Sequence, residues 1–116
     1  MTIHEVKEKI MGDTHNWRIY LMDFVDDFRK RKDPRMVEQP FTFNHERFDA
    51  LLASVTHYLC DELKISVPGW VYDVPVCRAP WFVSGLENLK AIAIVESPAH
   101  FRLRKIFVLS NFLSRV

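Results

Sequence analysis

Residues 17–32, WRIYLMDFVDDFRKRK, carry the clearest helical pattern in the chain. Apolar residues recur at every third or fourth position and therefore share one side of a helix; they are Trp17, Tyr20, Leu21, Phe24, Val25 and Phe28. Charged residues fill the other side. An amphipathic helix buries its apolar side against other elements, so this segment predicts a helical core. The helix should end before Asp33-Pro34, because the residue preceding a proline is pushed out of the helical region.

Two further helices are predicted around this one. Thr2 and Glu5 form a capping box that begins a short first helix, and Gly12, in a left-handed conformation, ends it. After a linker over residues 33–43, Asn44 is the expected cap of a third helix. Its apolar stripe comprises Phe48, Leu51, Leu52, Val55, Leu59 and Leu63. Two long amphipathic helices joined by a loop predict a helical hairpin.

The second half of the chain is less regular. Residues 66–82 contain three prolines and two tryptophans, which predicts an ordered loop held by its aromatic side chains. Ser84 and Glu87 have the spacing of a second capping box and predict a helix that is mostly buried, because few of its residues are polar. Ser97-Pro98 should begin a short helix that ends near residue 104. Residues 106–109 favour a strand but are too few to classify.

Composition limits the fold class and the location. The chain has 116 residues, 48% hydrophobic and 27% charged, with only three glycines and two cysteines. We expect a single mainly α domain over residues 1–116, a helical bundle of about five helices with a Pro/Trp-rich loop and a short C-terminal extended segment. Two cysteines cannot build a disulfide framework, and no apolar run approaches the roughly 18 residues that span a bilayer. A reducing, cytoplasmic location without membrane contact is the expectation.

Metal and catalytic motifs are weak. His57, Cys60 and Asp61 are spaced i, i+3 and i+4, so His57 could share a metal with either neighbour, but two ligands do not make a site. Cys77 beside Arg78 could form a thiolate, yet the sequence marks no base and orienting group for it. Neither a Gly-rich phosphate loop nor a Gly-x-Ser-x-Gly motif is present. We therefore predict no metal, no cofactor and no enzymatic activity.

The formal net charge of +1 conceals two basic clusters. The first is Arg29, Lys30, Arg31 and Lys32, and the second comprises Arg102, Arg104, Lys105 and Arg115 in an acid-free C-terminal segment. If the clusters converge, they could contact the phosphates of a nucleic acid, with Arg29, Lys30, Arg31, Lys32, Arg102 and Arg104 as the contact residues. The alternative for residues 29–32 is helix termination, because basic residues favour a helix C-terminus.

Trp70 and Trp81 have two interpretations in the irregular segment. Tryptophans in such a position either cover a core or insert into a pocket of a partner protein. Loops held between rigid helices often carry binding surfaces. We therefore take the two tryptophans as candidate partner contacts, together with Arg102, Arg104 and Lys105.

Several strings resemble a small, uncharacterised bacterial family of α-helical domains. They are Asp23-Phe24-Val25-Asp26-Asp27-Phe28-Arg29, Val67-Pro68-Gly69-Trp70, Pro80-Trp81-Phe82 and the segment from Ser97-Pro98 to Phe107-Val108. The resemblance implies an antitoxin-like partner of a neighbouring enzyme of the nucleotidyltransferase type. It assigns no catalytic residue, and the chain lacks the helix-turn-helix domain of longer relatives. Our leading hypothesis is a protein–protein interaction domain that binds such a partner or a second copy of itself. A nucleic-acid-binding accessory protein is the alternative, and an enzyme of unknown class is the third.

Overall fold

The computed structural model describes residues 1–114, which form five α-helices and one two-stranded sheet. The helices are α1 (Ile3–Gly12), α2 (Trp17–Arg31), α3 (Glu46–Leu63), α4 (Lys90–Glu96) and α5 (Ala99–Arg102). The strands are β1 (Trp81–Phe82) and β2 (Ile106–Phe107). Short 3₁₀ helices cover Thr14–Asn16, Pro34–Val37, Gly69–Asp73 and Glu87–Leu89. The predicted mainly α-helical fold is confirmed; Arg115 of the second basic cluster lies outside the described residues.

The apolar stripes of α2 and α3 form the core. On α2, Leu21, Phe24, Val25 and Phe28 are buried, and on α3 the buried stripe runs from Phe48 to Leu59, as the sequence predicts. The core also contains three buried residues of α1, namely Ile3, Val6 and Ile10. Two further buried residues come from the second half of the chain, Phe101 of α5 and Ile106 of β2. Every α-helix except α4 thus contributes large side chains to one continuous core.

The predicted hairpin of α2 and α3 is wrong, because these helices run in the same direction. Trp17 and Phe48, near the two N-terminal ends, have ring centroids 5.7 Å apart. Arg29 and Glu62, near the two C-terminal ends, form an ion pair of 2.9 Å. The antiparallel neighbours are α1 and α2, since the Met1 amino group lies 2.9 Å from Asp27. The linker after α2 must therefore return along the bundle before α3 begins.

That linker runs along α1 and is fixed to it. The carbonyl of Pro40 lies 3.1 Å from His4 Nδ1, and the carbonyl of Thr42 accepts a bond of 2.8 Å from Lys7 Nζ. Lys7 also reaches Asp49 on α3 in a buried ion pair. The lysine therefore connects α1, the linker and α3 at one point.

The Pro/Trp-rich loop leads into the small sheet. β1 and β2 pair in parallel, with Trp81 opposite Ile106 and Phe82 opposite Phe107. The Trp81 amide donates to the Lys105 carbonyl over 2.9 Å, and the Val83 amide donates to the Phe107 carbonyl over 3.1 Å. The C-terminal extended segment is thus a short strand. It anchors the irregular segment to the end of the chain.

Three predicted helix ends differ from the structure. Gly12 is the last residue of α1 and its φ is not left-handed; the left-handed residues are Lys32, Lys64, Lys105 and Gly85. The cap of α3 is His45, whose Nδ1 accepts from the Phe48 amide over 3.3 Å, and Asn44 instead binds Lys7. Ser84 and Glu87 form no capping box, since α4 begins only at Lys90. The capping box of Thr2 and Glu5 is present as predicted.

The prediction that the helix after Ser84 is mostly buried is also wrong. Only Ala93 of α4 is buried, whereas Ile92, Ile94 and Val95 are exposed. The helix is seven residues long and lies on the sheet, so one narrow side suffices for its packing. No helix within residues 1–114 is long and apolar enough to cross a membrane.

Candidate functional site

One group of polar side chains gathers where α3 meets α5. His57 and Asp61 are one turn apart on α3, and His100 extends from α5, which begins after Ser97-Pro98. The three residues are here called the His–Asp cluster. Their potential ligand atoms all lie within 4.8 Å of one another. The sequence predicts the pairing of His57 with Asp61 by its spacing, but it gives no sign that His100 joins them.

Asp61 lies at different distances from the two imidazoles. His100 Nε2 lies 2.6 Å from Asp61 Oδ2, a strong hydrogen bond, whereas His57 Nε2 lies 3.8 Å from the same oxygen. The two imidazole rings meet edge to face, with centroids 4.6 Å apart. Asp61 is exposed and both histidines are half-buried, so the cluster lies at the surface with one side open to solvent.

Arg104 closes the inner side of the cluster. Its side chain is buried, with the residue only 2% exposed, and Nη1 donates to the His100 carbonyl over 2.7 Å. Nη2 donates to the Val71 carbonyl over 3.3 Å, and both nitrogens lie 3.4 Å from His57 Nδ1. No carboxylate of residues 1–114 lies within ion-pair distance of this guanidinium. Arg104 therefore holds α5, α3 and the Gly69–Asp73 turn together through neutral acceptors.

These surroundings determine the protonation of His57. Burial lowers the pKa of His57, and the charges of His100 and Arg104 lower this pKa further. A guanidinium has only donors, so the Nδ1 atom facing Arg104 must be an acceptor. His57 is then neutral and carries its proton on Nε2, on the side of Asp61. Burial likewise lowers the pKa of Arg104.

The Asp61–His100 pair does not provide an accessible catalytic base. Asp61 orients His100 through Nε2, which leaves Nδ1 as the nitrogen that would take a proton. That Nδ1 atom is enclosed and has no hydrogen-bond partner. A general base must reach the proton that it abstracts. The Asp61–His100 pair therefore lacks the free face that general-base catalysis needs.

Neither cysteine is activated. Cys60 is buried on α3, and burial raises the pKa of its thiol to about 11. Cys77 is buried as well, and burial followed by the charge of Glu46 raises its pKa. The thiolate is the nucleophilic form of cysteine, so both residues lack the chemistry of a nucleophile near neutral pH.

We expect neither thiol of the folded protein to react with Ellman's reagent within minutes at pH 8. Both thiols are protonated and enclosed at that pH. The measurement is the rise in absorbance at 412 nm with and without denaturant. The denatured sample should release close to two equivalents. Fast labelling of the native protein would show that one thiol is open to solvent.

The tryptophans that the sequence offered as partner contacts are half-buried and packed on the core. Trp70 donates through Nε1 to the Val37 carbonyl over 2.9 Å and meets the Phe41 ring edge-on at 5.2 Å. Trp81 lies 5.9 Å from the rings of both Trp17 and Phe48. These contacts match the first interpretation, in which each tryptophan covers the core.

The basic clusters are less available than their charge suggests. Arg29 pairs with Glu62, and Arg31 pairs with Asp27 at 2.7 Å. The expectation that Arg104 contacts a phosphate or a partner is wrong, since Arg104 is buried within its own chain. Among residues 1–114, the predicted basic contact residues that are exposed and form no ion pair are Lys30, Lys32, Arg102 and Lys105. Arg29, Arg31 and Arg104, three of the seven predicted basic contact residues, are therefore already paired or buried.

The outward face of α4 is a second candidate surface. Leu89, Ala93 and Ser97 follow one another at helical spacing and point towards the protein. Ala91 and Val95 lie opposite them, flanked by Ile92 and Ile94, and all four are exposed. Val95 is 79% exposed, and the two isoleucines are 46% and 47% exposed. The outward face of α4, defined by these four residues, is entirely apolar.

The charged residues of α4 itself are Lys90 and Glu96, at the two ends of the helix. Lys90 pairs with Glu87 at 2.9 Å and lies over the Phe82 ring, 5.2 Å from its centroid. Glu96 accepts from the Ser110 amide over 2.8 Å. Isolated exposed apolar residues are ordinary on protein surfaces, whereas a helix face composed of them is typical of an interaction site. The sequence had placed these residues in the core.

Comparisons of this chain with protein-family models, with curated proteins and with solved structures find no match.

Proposed function

We propose that the protein is a non-enzymatic interaction domain that inserts the outward face of α4 into an apolar groove of a second protein. The exposure of Ile92, Ile94 and Val95 on a single helix carries this proposal. Removing a fully exposed Val or Ile side chain from water is worth about 1.5–3 kcal/mol. Ile92 and Ile94 are about half exposed and Val95 is 79% exposed, so each of the three supplies part of this value on association.

The size of the face favours a groove over a second copy of the chain. Seven residues of α-helix rise only about 10 Å along the axis. Two such faces laid against each other cover only one side of the short helix, whereas a stable interface between two proteins buries about 800 Å² on each partner. A groove contacts the helix from both flanks, so that Ile92 and Ile94 are covered together with Val95. Recognition of a short helix by such a groove is a common binding mode.

The kind of partner follows from the resemblance described above, which implies an enzyme of the nucleotidyltransferase type encoded beside this protein. Arg102 and Lys105 are exposed and form no ion pair within residues 1–114, and Leu103 between them is 53% exposed. Arg102 ends α5, the helix that follows α4, and Lys105 lies just beyond it, so we propose these residues as a basic rim of the interface. Charges at a rim mainly raise the association rate and make it sensitive to salt.

The test is co-expression with the product of the neighbouring gene, followed by titration calorimetry of the purified proteins. We expect a complex with 1:1 stoichiometry. The variants Ile94→Asp and Val95→Glu, each on the outward face of α4, should weaken it at least tenfold. The loss of one apolar contact combined with burial of a charge accounts for this effect.

The matched control is Ile19→Asp. Ile19 is 57% exposed on α2, so this variant changes the same kind of surface residue away from α4. Its affinity should equal that of the original protein. Failure to form any complex at low salt would overturn the proposal, and so would a complex that tolerates Val95→Glu. A dimer in sedimentation velocity that Val95→Glu dissociates would assign the face to self-association instead.

A further inference from the structure

We propose that the His–Asp cluster binds a divalent transition metal, with His57, Asp61 and His100 as ligands. This inference is independent of the proposed docking of α4. Two imidazoles and one carboxylate are a donor set suited to Zn²⁺, Co²⁺ or Ni²⁺, whereas Ca²⁺ and Mg²⁺ prefer oxygen ligands. The set comes from two helices far apart in the sequence, so a bound ion would connect α3 with α5.

The two separations between Asp61 and the histidine nitrogens are close to those that a metal needs. Bonds of 2.0–2.2 Å in a tetrahedral site place neighbouring ligand atoms about 3.3 Å apart. In the structure, Asp61 Oδ2 lies 2.6 Å from His100 Nε2 and 3.8 Å from His57 Nε2. Shifts below about 1 Å in the exposed Asp61 side chain bring both separations to the required value. The open side of the cluster leaves room for water in the remaining coordination positions.

Binding changes the position of the imidazole protons. A metal takes the Nε2 lone pair, so the proton of each neutral histidine must move to Nδ1. His100 Nδ1 has no partner before or after this change. His57 Nδ1 would carry its proton towards the Arg104 nitrogens, 3.4 Å away, which also only donate. Metal-binding histidines normally have an acceptor there, and the lack of one typically costs about 10–100-fold in affinity, so we expect weaker binding than at a site with such an acceptor.

Titration calorimetry with Zn²⁺ alone tests the proposal on the full chain. We expect one ion per chain with a micromolar dissociation constant. The variants His57→Asn and His100→Asn should weaken binding at least tenfold, and Asp61→Asn should do the same. Asp61 is exposed, so its variant tests the site even where a histidine variant is unstable. Co²⁺ should give visible absorption bands that these variants lose.

The chain provides a matched control on α1. His4 and Glu8 form another surface pair at i, i+4, with His4 Nε2 and Glu8 Oε1 2.8 Å apart and no third ligand grouped with them among residues 1–114. His4→Asn should leave Zn²⁺ binding unchanged. A saturating excess of Zn²⁺ near one hundred times the dissociation constant should raise the melting temperature by about 10 °C. Absence of binding at 1 mM Zn²⁺, or equal binding by the original protein and His100→Asn, would overturn the proposal.

Discussion

Lys7→Met is expected to lower the free energy of unfolding by about 3–5 kcal/mol, because it leaves a buried carboxylate without its counter-charge. Lys7 and Asp49 are both buried and form an ion pair. Lys7 Nζ also donates to the Thr42 carbonyl over 2.8 Å and to Asn44 Oδ1 over 2.9 Å. The lysine uses all three of its donors in this way.

Asp49, the other partner of the ion pair, also has a further hydrogen bond. Asp49 Oδ2 accepts from the His45 amide over 2.9 Å at the beginning of α3. Asp49→Asn should therefore also destabilise the fold strongly, since it leaves the Lys7 charge buried. The double variant Lys7→Met/Asp49→Asn removes both charges, so it should cost less than the sum of the single variants. Urea unfolding followed by circular dichroism measures all three values.

Lys9→Met is the control for the lysine, because Lys9 lies on the same helix and is exposed. Its effect should remain within about 0.5 kcal/mol. A value for Lys7→Met as small as that for Lys9→Met would show that water or a neighbouring group compensates Asp49. If the changes in the free energy of unfolding of the two single variants add up to that of the double variant, the two charges do not depend on each other.

Local patterns predicted the helices well. The stripe from Trp17 to Phe28 and the stripe from Phe48 to Leu59 are buried as predicted, because the spacing of apolar residues depends only on the helical repeat. The relative direction of α2 and α3 was not predictable in the same way. It depends on the path of the linker, which Lys7 fixes through the Thr42 carbonyl. A lysine within a charged first helix gives no sign of that role.

The prediction for α4 failed for a physical reason. Apolar residues around a helix require burial, but the sequence does not state whether the covering surface belongs to the same chain. Ala93 packs inwards, whereas Val95, four-fifths exposed, does not. The helix is only seven residues long, and its inner side packs on the small sheet. Composition identified the unusual helix, and only the fold shows that its apolar residues face outwards.

The His–Asp cluster was predictable only in part. The interval between His57 and Asp61 is visible in the sequence, while His100 lies 39 positions beyond Asp61. Contact between them requires α5 to pack on α3, and Ser97 helps to fix that position. Its hydroxyl accepts from the Val108 amide over 2.8 Å and lies 2.6 Å from the Ala93 carbonyl. A serine before a proline predicted a helix start but not the helix against which it packs.

Phe24→Ala is expected to lower the free energy of unfolding by about 3–5 kcal/mol, the usual cost of removing a large aromatic side chain from a core. Phe24 is fully buried on α2 and stacks on Phe28, with ring centroids 5.6 Å apart. An aromatic pair of this kind adds about 0.5–1.5 kcal/mol to the value of its buried area. The surrounding helices are held by Lys7 and by the Arg29–Glu62 pair, so they cannot close fully on the cavity.

Ile19→Ala on the same helix is the control, because it separates the loss of core packing in Phe24→Ala from the effect of alanine on helix propensity. Ile19 is 57% exposed on the opposite side of α2, and alanine favours a helix more than isoleucine does. We therefore expect a change within about 0.5 kcal/mol, with an unchanged dependence on denaturant. Urea midpoints measured for both variants under identical conditions provide the comparison. Equal midpoints would mean that the apolar stripe of α2 is not buried in the core. A much lower midpoint for Phe24→Ala than for Ile19→Ala would show that the stability of the bundle depends on Phe24 and its neighbours.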